Sequence, residues 1–348
     1  MNDADKAPSS DFAAIPDAKP QSFALAEMIT CDACLRSNPP TRSNCLYCAA
    51  ILPAMTNARE AEPTRDSASG PSSEANVNSG FYVVMTPNQI RVLDQSSLAE
   101  IAELLHLATT DVQSAVDGRC PVPLLRAATL EQGKVIAEKL VALGIGVDIF
   151  REDTLSLDVP TKKVRALEIS HDRLTATLTS GGGISMPWDD LILIVTGHLL
   201  VNRKESEERR RRGRSQPVAS RELFSDEPVI DLYTRSDEIG CRISSSSFDF
   251  SCLGTEKAMT AFENLATLRK LLSLRAPNAD VDDSYRRLRA VLTNIWPLEP
   301  QTRKGEWRRS GAGKMDVATV TTIDNEIQFN RYSRLRQSVK LRELEGGR

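Results

Sequence analysis

Residues 191–234, LILIVTGHLLVNRKESEERRRRGRSQPVASRELFSDEPVIDLYT, join an apolar, β-branched run to the chain's densest cluster of arginines. LILIVTGHLLV and VIDLYT read as strands, because Leu, Ile, Val, Thr and Tyr suit a pleated, half-buried surface. Between them NRKESEERRRRGRSQ carries seven Lys or Arg against three Glu. That is too polar for a core and predicts a long, exposed basic loop over 202–220. On either side run KVRALEI, RLTATLT, ISMPW and CRISSSSFDF, parted by the turn signals SGGG and RSDEIG. Residues 157–276 are therefore expected to form a mostly antiparallel β-domain. TEKAMTAFENLATLRKLLSL should close it as one amphipathic helix behind an N-cap at Thr255, burying Ala258, Phe262, Leu265 and Leu272.

The segment before it, 80–151, has a different rhythm. FYVVM reads as a strand, and Ser97 with Glu100 as a capping box opening LAEIAELLHLA. Thr110 and Gln113 suggest a second capped helix, VPLLRA a strand, and Thr129 with Gln132 a third capped helix ended by Gly144 before IGVDIF. The order is β-α-α-β-α-β, a small sandwich with helices on one face of its sheet. From residue 280 to 348 the sequence offers one helix, SYRRLRAVLTNIW, and then a basic, Gly-containing tail.

Residues 1–27 and 54–79 are rich in Asp, Ala, Pro and Ser without periodicity, and read as a disordered leader and a linker. Between them, residues 28–53 hold Cys31, Cys34, Cys45 and Cys48 as two C-x2-C turns ten residues apart. Each turn brings two thiolates onto one ion, and four thiolates close a tetrahedron with no position left for a substrate water. The spacing predicts one structural Zn2+ in a small ribbon, tethered to the rest of the chain rather than packed on it. An iron site or redox dithiols are the alternatives, the latter disfavoured without a βαβ context. Cys120, Cys241 and Cys252 lie in apolar or strand-like surroundings and read as small buried hydrophobes.

The fold class is thus multi-domain α+β: a zinc ribbon, a β-α-α-β-α-β domain, and an antiparallel β-domain capped by a C-terminal helix. The net charge of -3 gives no global case for nucleic acid. No basic stretch followed by an apolar run of the targeting-peptide kind and no membrane-spanning run is evident, and cysteine usage fits a reducing compartment, so a cytoplasmic location is expected.

Three resemblances refine this. The double C-x2-C module is similar to zinc ribbons, which hold a partner or brace a domain. Val116-Asp117, Pro121 and Gly144 to Val147, in their order among the helices and strands, resemble the C-terminal domain of the ribosomal stalk protein. That family touches translation GTPases through a Lys-rich first helix; here the helix is LAEIAELLHL, with Glu and no Lys. The bent sheet, its terminal helix and the pair Trp188-Asp189 resemble pleckstrin-homology-like domains, which implies peptide or lipid-headgroup binding.

Catalytic patterns are absent. His106, His171 and His198 stand alone, outside any H-E-x-x-H or nucleophile-elbow context. Gly311-Ala312-Gly313-Lys314 lacks the first glycine of a phosphate loop, having Arg308 there, and carries Met315 where Mg2+ needs a hydroxyl. Asp189-Asp190 and the run Ser244 to Ser247 read as turn and strand-edge residues. The expectation is a non-catalytic zinc-binding adaptor with a protein partner and no transmembrane segment, peripheral lipid contact being a lesser option. The alternative is a nucleic-acid- or ribosome-associated factor using Arg209, Arg210, Arg211 and Arg212 with the basic tail.

Overall fold

The computed structural model describes residues 23–24, 27–52, 80–90, 92–211, 214–236, 240–306, 308–311 and 314–346. The expected linker and nearly all of the expected leader lie outside the described residues, as does Arg212.

The first hairpin, β1 (Ile29–Thr30) with β2 (Ser37–Asn38), belongs to the cysteine module. Next comes β3 (Phe81–Ile90), followed by α1 (Gln95–Leu105), α2 (Thr109–Gly118), β4 (Val122–Ala127), α3 (Leu130–Ala142) and β5 (Ile145–Arg151). The three strands form an antiparallel sheet in the order β4-β3-β5. Capping explains the helix starts, though not always as the sequence suggests. Thr129 Oγ1 accepts the Gln132 N–H at 3.3 Å, as expected. The first helix starts earlier than Ser97, because Asp94 accepts the Ser97 N–H at 2.7 Å. The second has no side-chain cap, and Gln113 donates to Asp117 instead.

Tyr82, Val83, Val84 and Met85 are all fully buried, so both faces of β3 are covered and not one. The additional cover comes from the C-terminal part. A helix over Tyr285–Ile295 packs on α2 and β4, and the Trp296 ring meets Tyr82 edge-on at 5.4 Å between centroids.

The larger sheet has ten strands. It comprises β6 (Lys162–Ile169), β7 (Arg173–Leu178), β8 (Gly183–Pro187), β9 (Leu191–Arg211), β10 (Arg214–Thr234), β11 (Cys241–Ser244), β12 (Asp280–Asp282), β13 (Gln301–Lys304), β14 (Arg308–Gly311) and β15 (Lys314–Asp324). The helices α4 (Ala261–Arg275), α5 (Tyr285–Ile295) and α6 (Glu326–Gly346) complete the chain. The sheet is mixed, since β11 runs parallel to β6 and β12 parallel to β9.

Three corrections follow from this layout. The stretch 202–220 is not a loop: β9 and β10 are each 21 residues long and pair along nearly their whole length. Opposite charges sit across that ladder, Glu205 opposite Arg221 and Lys204 opposite Glu222, which stabilises pairing without apolar residues. The helix α4 starts at Ala261 behind Thr260, not Thr255, because Phe250–Glu256 winds as 3-10 turns; it buries Leu265, Leu268 and Leu272, whereas Phe262 is exposed. Finally, 280–348 is no tail. The strand β15 pairs with β9 from Val201 to Arg211, and α6 buries Phe329, Tyr332, Leu335 and Val339 in the core shared with β3.

Side-chain alternation along β9 divides the interior. Leu193 and Val195 point to the core containing α5 and α6, while Ile194 points to the core containing α4, Trp188 and Phe250. Among the described residues no helix is long and apolar enough to cross a membrane.

Candidate metal centre

Both C-x2-C turns fold in the same way. The Leu35 N–H donates to the Cys31 carbonyl at 2.7 Å and the Cys31 N–H to the Arg36 carbonyl at 3.0 Å. The second turn repeats this with Ala49 to Cys45 at 3.0 Å and Cys45 to Ala50 at 2.8 Å. Leu35 and Ala49 take positive φ, 57° and 60°, the left-handed conformation that turns the chain back after each second cysteine so that the Arg36 and Ala50 carbonyls reach the Cys31 and Cys45 N–H groups. The four Sγ atoms consequently lie within 4.8 Å of one another. Cys31 and Cys48 are 3.7 Å apart and Cys34 and Cys45 3.5 Å. This arrangement fits one tetrahedrally coordinated ion.

The electrostatics of the thiols differ along the site. Burial pushes the Cys31 thiol up to about 11 and raises Cys34 as well. Burial also acts against the Cys45 thiolate, but the N–H groups of Tyr47 and Cys48, the Cys34 thiol and the Asn38 amide bring it down to about 6. A metal ion must displace the protons held on the raised thiols, so binding strengthens as pH rises.

The module is docked, in contrast to the expected tether. Its site is the face of the ribbon carrying Asn202, Lys204, Glu222 and Phe224. Ser37 donates to Glu222 at 2.7 Å, Lys204 to Thr30 at 3.1 Å, and the Asn202 amide to the Leu35 carbonyl. The Arg36 guanidinium stacks between Tyr47 at 4.8 Å and Phe224 at 4.6 Å. From α5, buried Arg289 reaches the Asp32 carbonyl at 3.3 Å, and burial lowers its affinity for its proton. It faces Cys31, Cys34 and Asp226. Its Nε has no partner among the described residues.

The other sequence candidates separate. Arg209 is held by Asp316 at 2.8 and 2.9 Å; Arg210 and Arg211 continue β9 toward its end. His106 is the left-handed C-cap of α1. Asp190 accepts from Ser236 at 2.6 Å and braces a turn, and Ser246 bonds Glu227. Cys120 and Cys241 are buried and Cys252 half-buried. His198 is not isolated: its Nδ1 lies 2.7 Å from Asp226, a pairing across β9 and β10 that no local motif announces. Nor does sequence spacing connect Arg289 with the cysteines, 255 positions from Cys34. Comparison of the chain with family models, with characterised proteins and with solved structures finds no match.

Proposed function

We propose that the chain is a non-catalytic adaptor in which Cys31, Cys34, Cys45 and Cys48 hold one structural Zn2+, and the zinc module braces the β9–β10 ribbon as a protein-contact surface. The observation that carries this reading is the convergence of four thiols within 4.8 Å on two turns closed by the same backbone bonds. All four ligands come from the protein, so the ion would organise the fold and leave no position for a substrate. Leu46, Tyr47 and Ile51 on the module, and Val218 and Leu223 on the ribbon, are exposed apolar side chains suited to a protein partner. The β-α-α-β-α-β order with its antiparallel sheet supports the likeness to the stalk protein's C-terminal domain. Trp188 at the entry to β9 and α4 against the sheet support the pleckstrin-homology-like reading, although the mixed strand pairing departs from an antiparallel design. A cytoplasmic setting, where thiols stay reduced, belongs to the same proposal. The nucleic-acid alternative is weakened, because Arg209 is neutralised by Asp316 and Arg203 by Glu205 at 2.8 Å.

Elemental analysis tests the core of this. Protein purified under reducing, chelator-free conditions should carry one zinc per chain, and the Cys31→Ser, Cys48→Ser variant none. Metal-free wild type would overturn the zinc assignment. For the adaptor role, a Tyr47→Asp, Ile51→Asp variant that keeps its zinc should lose the partner that wild type retains on an affinity column. Retention of the same partner by both would remove the module from the interface.

A further inference from the structure

A cavity of about 220 Å³ lies on the α4 side of the sheet and plays no part in the metal centre. Its floor follows from strand register: Thr196 pairs with Ile230 and His198 with Pro228, so these four side chains stand on one face. Its wall is the α4 face Phe262, Leu265, Ala266 and Arg269, at spacings of three and four residues. Asp283 and Arg286, at the entry to α5, complete the rim.

The volume exceeds the ~150 Å³ engineered cavity that accepts benzene, so a body of about ten non-hydrogen atoms fits. The walls are mainly carbon, and Phe262 stands 62% exposed at the mouth. Polar groups are few and placed at the rim. Asp283 lies 3.7 Å from Arg269 and 3.7 Å from Arg287. His198 is held at Nδ1 by Asp226, which leaves Nε2 as the ring's free nitrogen. Arg286 makes no hydrogen bond or ion pair with any described residue. Arg269 and Arg287 share Asp283, and Asp226, which also feels the Arg286 charge, is held by His198, so Arg286 is the rim cation with no contact partner of its own.

We propose that this cavity binds a small organic monocarboxylate, its aromatic or branched apolar body between Phe262, Leu265 and Ile230 and its carboxylate on Arg286. Carbon walls with one unspent guanidinium at the edge select this class over sugars, which need several polar partners, and over polyanions, which need several cations.

The test uses the full chain and three probes, phenylacetate, 3-phenylpropanoate and 4-methylpentanoate, with phenylacetamide as the neutral comparison. Saturation-transfer NMR and calorimetry should detect at least one acid with Kd on the order of 1 mM. Phenylacetamide should bind at least about tenfold more weakly than the best acid, and Arg286→Gln should weaken that acid by about tenfold or more. Ala266→Trp, which fills the cavity from an exposed position, should abolish binding; unchanged zinc content and melting temperature would show that both variants are folded. Absence of binding by all three acids at about ten times that concentration, equal binding of acid and amide, or unchanged binding in both variants would each overturn the proposal.

Discussion

Single side chains far from the cysteines decide how the metal centre joins the body. Arg289 is 3% exposed, bonded to the Asp32 carbonyl and facing the thiols. A tetrathiolate zinc site carries negative charge that offsets this buried cation, whereas neutral thiols do not. Arg289→Met should therefore destabilise the zinc-loaded protein by about 3 kcal/mol, yet be neutral or stabilising after chelation. Urea unfolding with and without chelator measures both values, and equal effects would uncouple Arg289 from the metal. A second buried charge needs no metal. Arg242 grips Asp231 through two bonds of 2.7 and 2.8 Å, Ser333 donates to the same carboxylate at 2.7 Å, and Tyr233 bonds Ser333. Asp231→Ala leaves the buried guanidinium only the longer contact to Glu326 at 3.8 Å and the Phe329 ring at 4.8 Å, and should cost about 3 to 5 kcal/mol in chemical denaturation. The cysteine ligands were legible because their spacing is local. Arg289, Asp231 and His198 were not, since their partners come from other strands and helices.

Among the elements, those with a local signal were readable and those made by pairing were not. The Thr129 cap, the three strands around β3 and the meander β6–β7–β8 show their periodicity in the sequence. The distal ribbon hides it, because its two faces are both charged or polar and alternation of apolar with polar never appears. In α6, Gln328, Ser333, Arg334 and Gln337 are buried beside Phe329 and Tyr332, which erases the amphipathic stripe. Two predictions belong to the contacts of that helix. A Cβ on Gly197 would overlap the Phe329 ring, so Gly197→Ala should cost about 1 to 3 kcal/mol and Phe329→Leu should recover part of it in the double variant. Independent, additive losses would show that the ring moves aside freely. Asp282 joins β12 to α6 through Arg336 and Tyr332 and accepts the N–H of Ser284, the residue that precedes α5. Burial pushes its carboxyl up, but Arg336 and those donors prevail and hold it below the usual range. A folded value below the unfolded one contributes stability that is complete above the unfolded pKa of about 4 and is lost as pH falls through the folded value. Asp282→Asn should be less stable than wild type at pH 7, with the gap closing only under acid. A gap unchanged down to pH about 2 would assign the loss to packing and not to charge.

For the molecule as a whole, the C-terminal fifth ties together segments that sequence reading treats as separate domains. One core cluster runs from Tyr82, Val122 and Phe150 through Leu193 and Val195 to Tyr285, Trp296, Phe329 and Leu335. The Arg342 guanidinium lies 3.7 Å from the Phe150 ring centroid, so the last helix reaches back to β5. Four successive fully buried residues in β3 carry the same message: a strand without alternation needs cover on both faces, and the second cover lies some 200 positions downstream in α5. Residues 80–156 alone keep α1, α2 and α3 but lose the packing of α5 on α2 and β4 and of α6 beyond β5. The exposed apolar surface would include much of Tyr82 and Val122, at roughly 25 cal/mol per Å². That loss is large beside the stability of a domain of this size. The excised fragment is accordingly expected to keep helical circular dichroism while binding a hydrophobic dye and unfolding without a sharp urea transition. The fragment 80–348 should unfold cooperatively. If 80–156 showed a sharp transition with the slope its buried surface predicts, the stalk-like unit would be an independent domain to which the C-terminal helices merely dock.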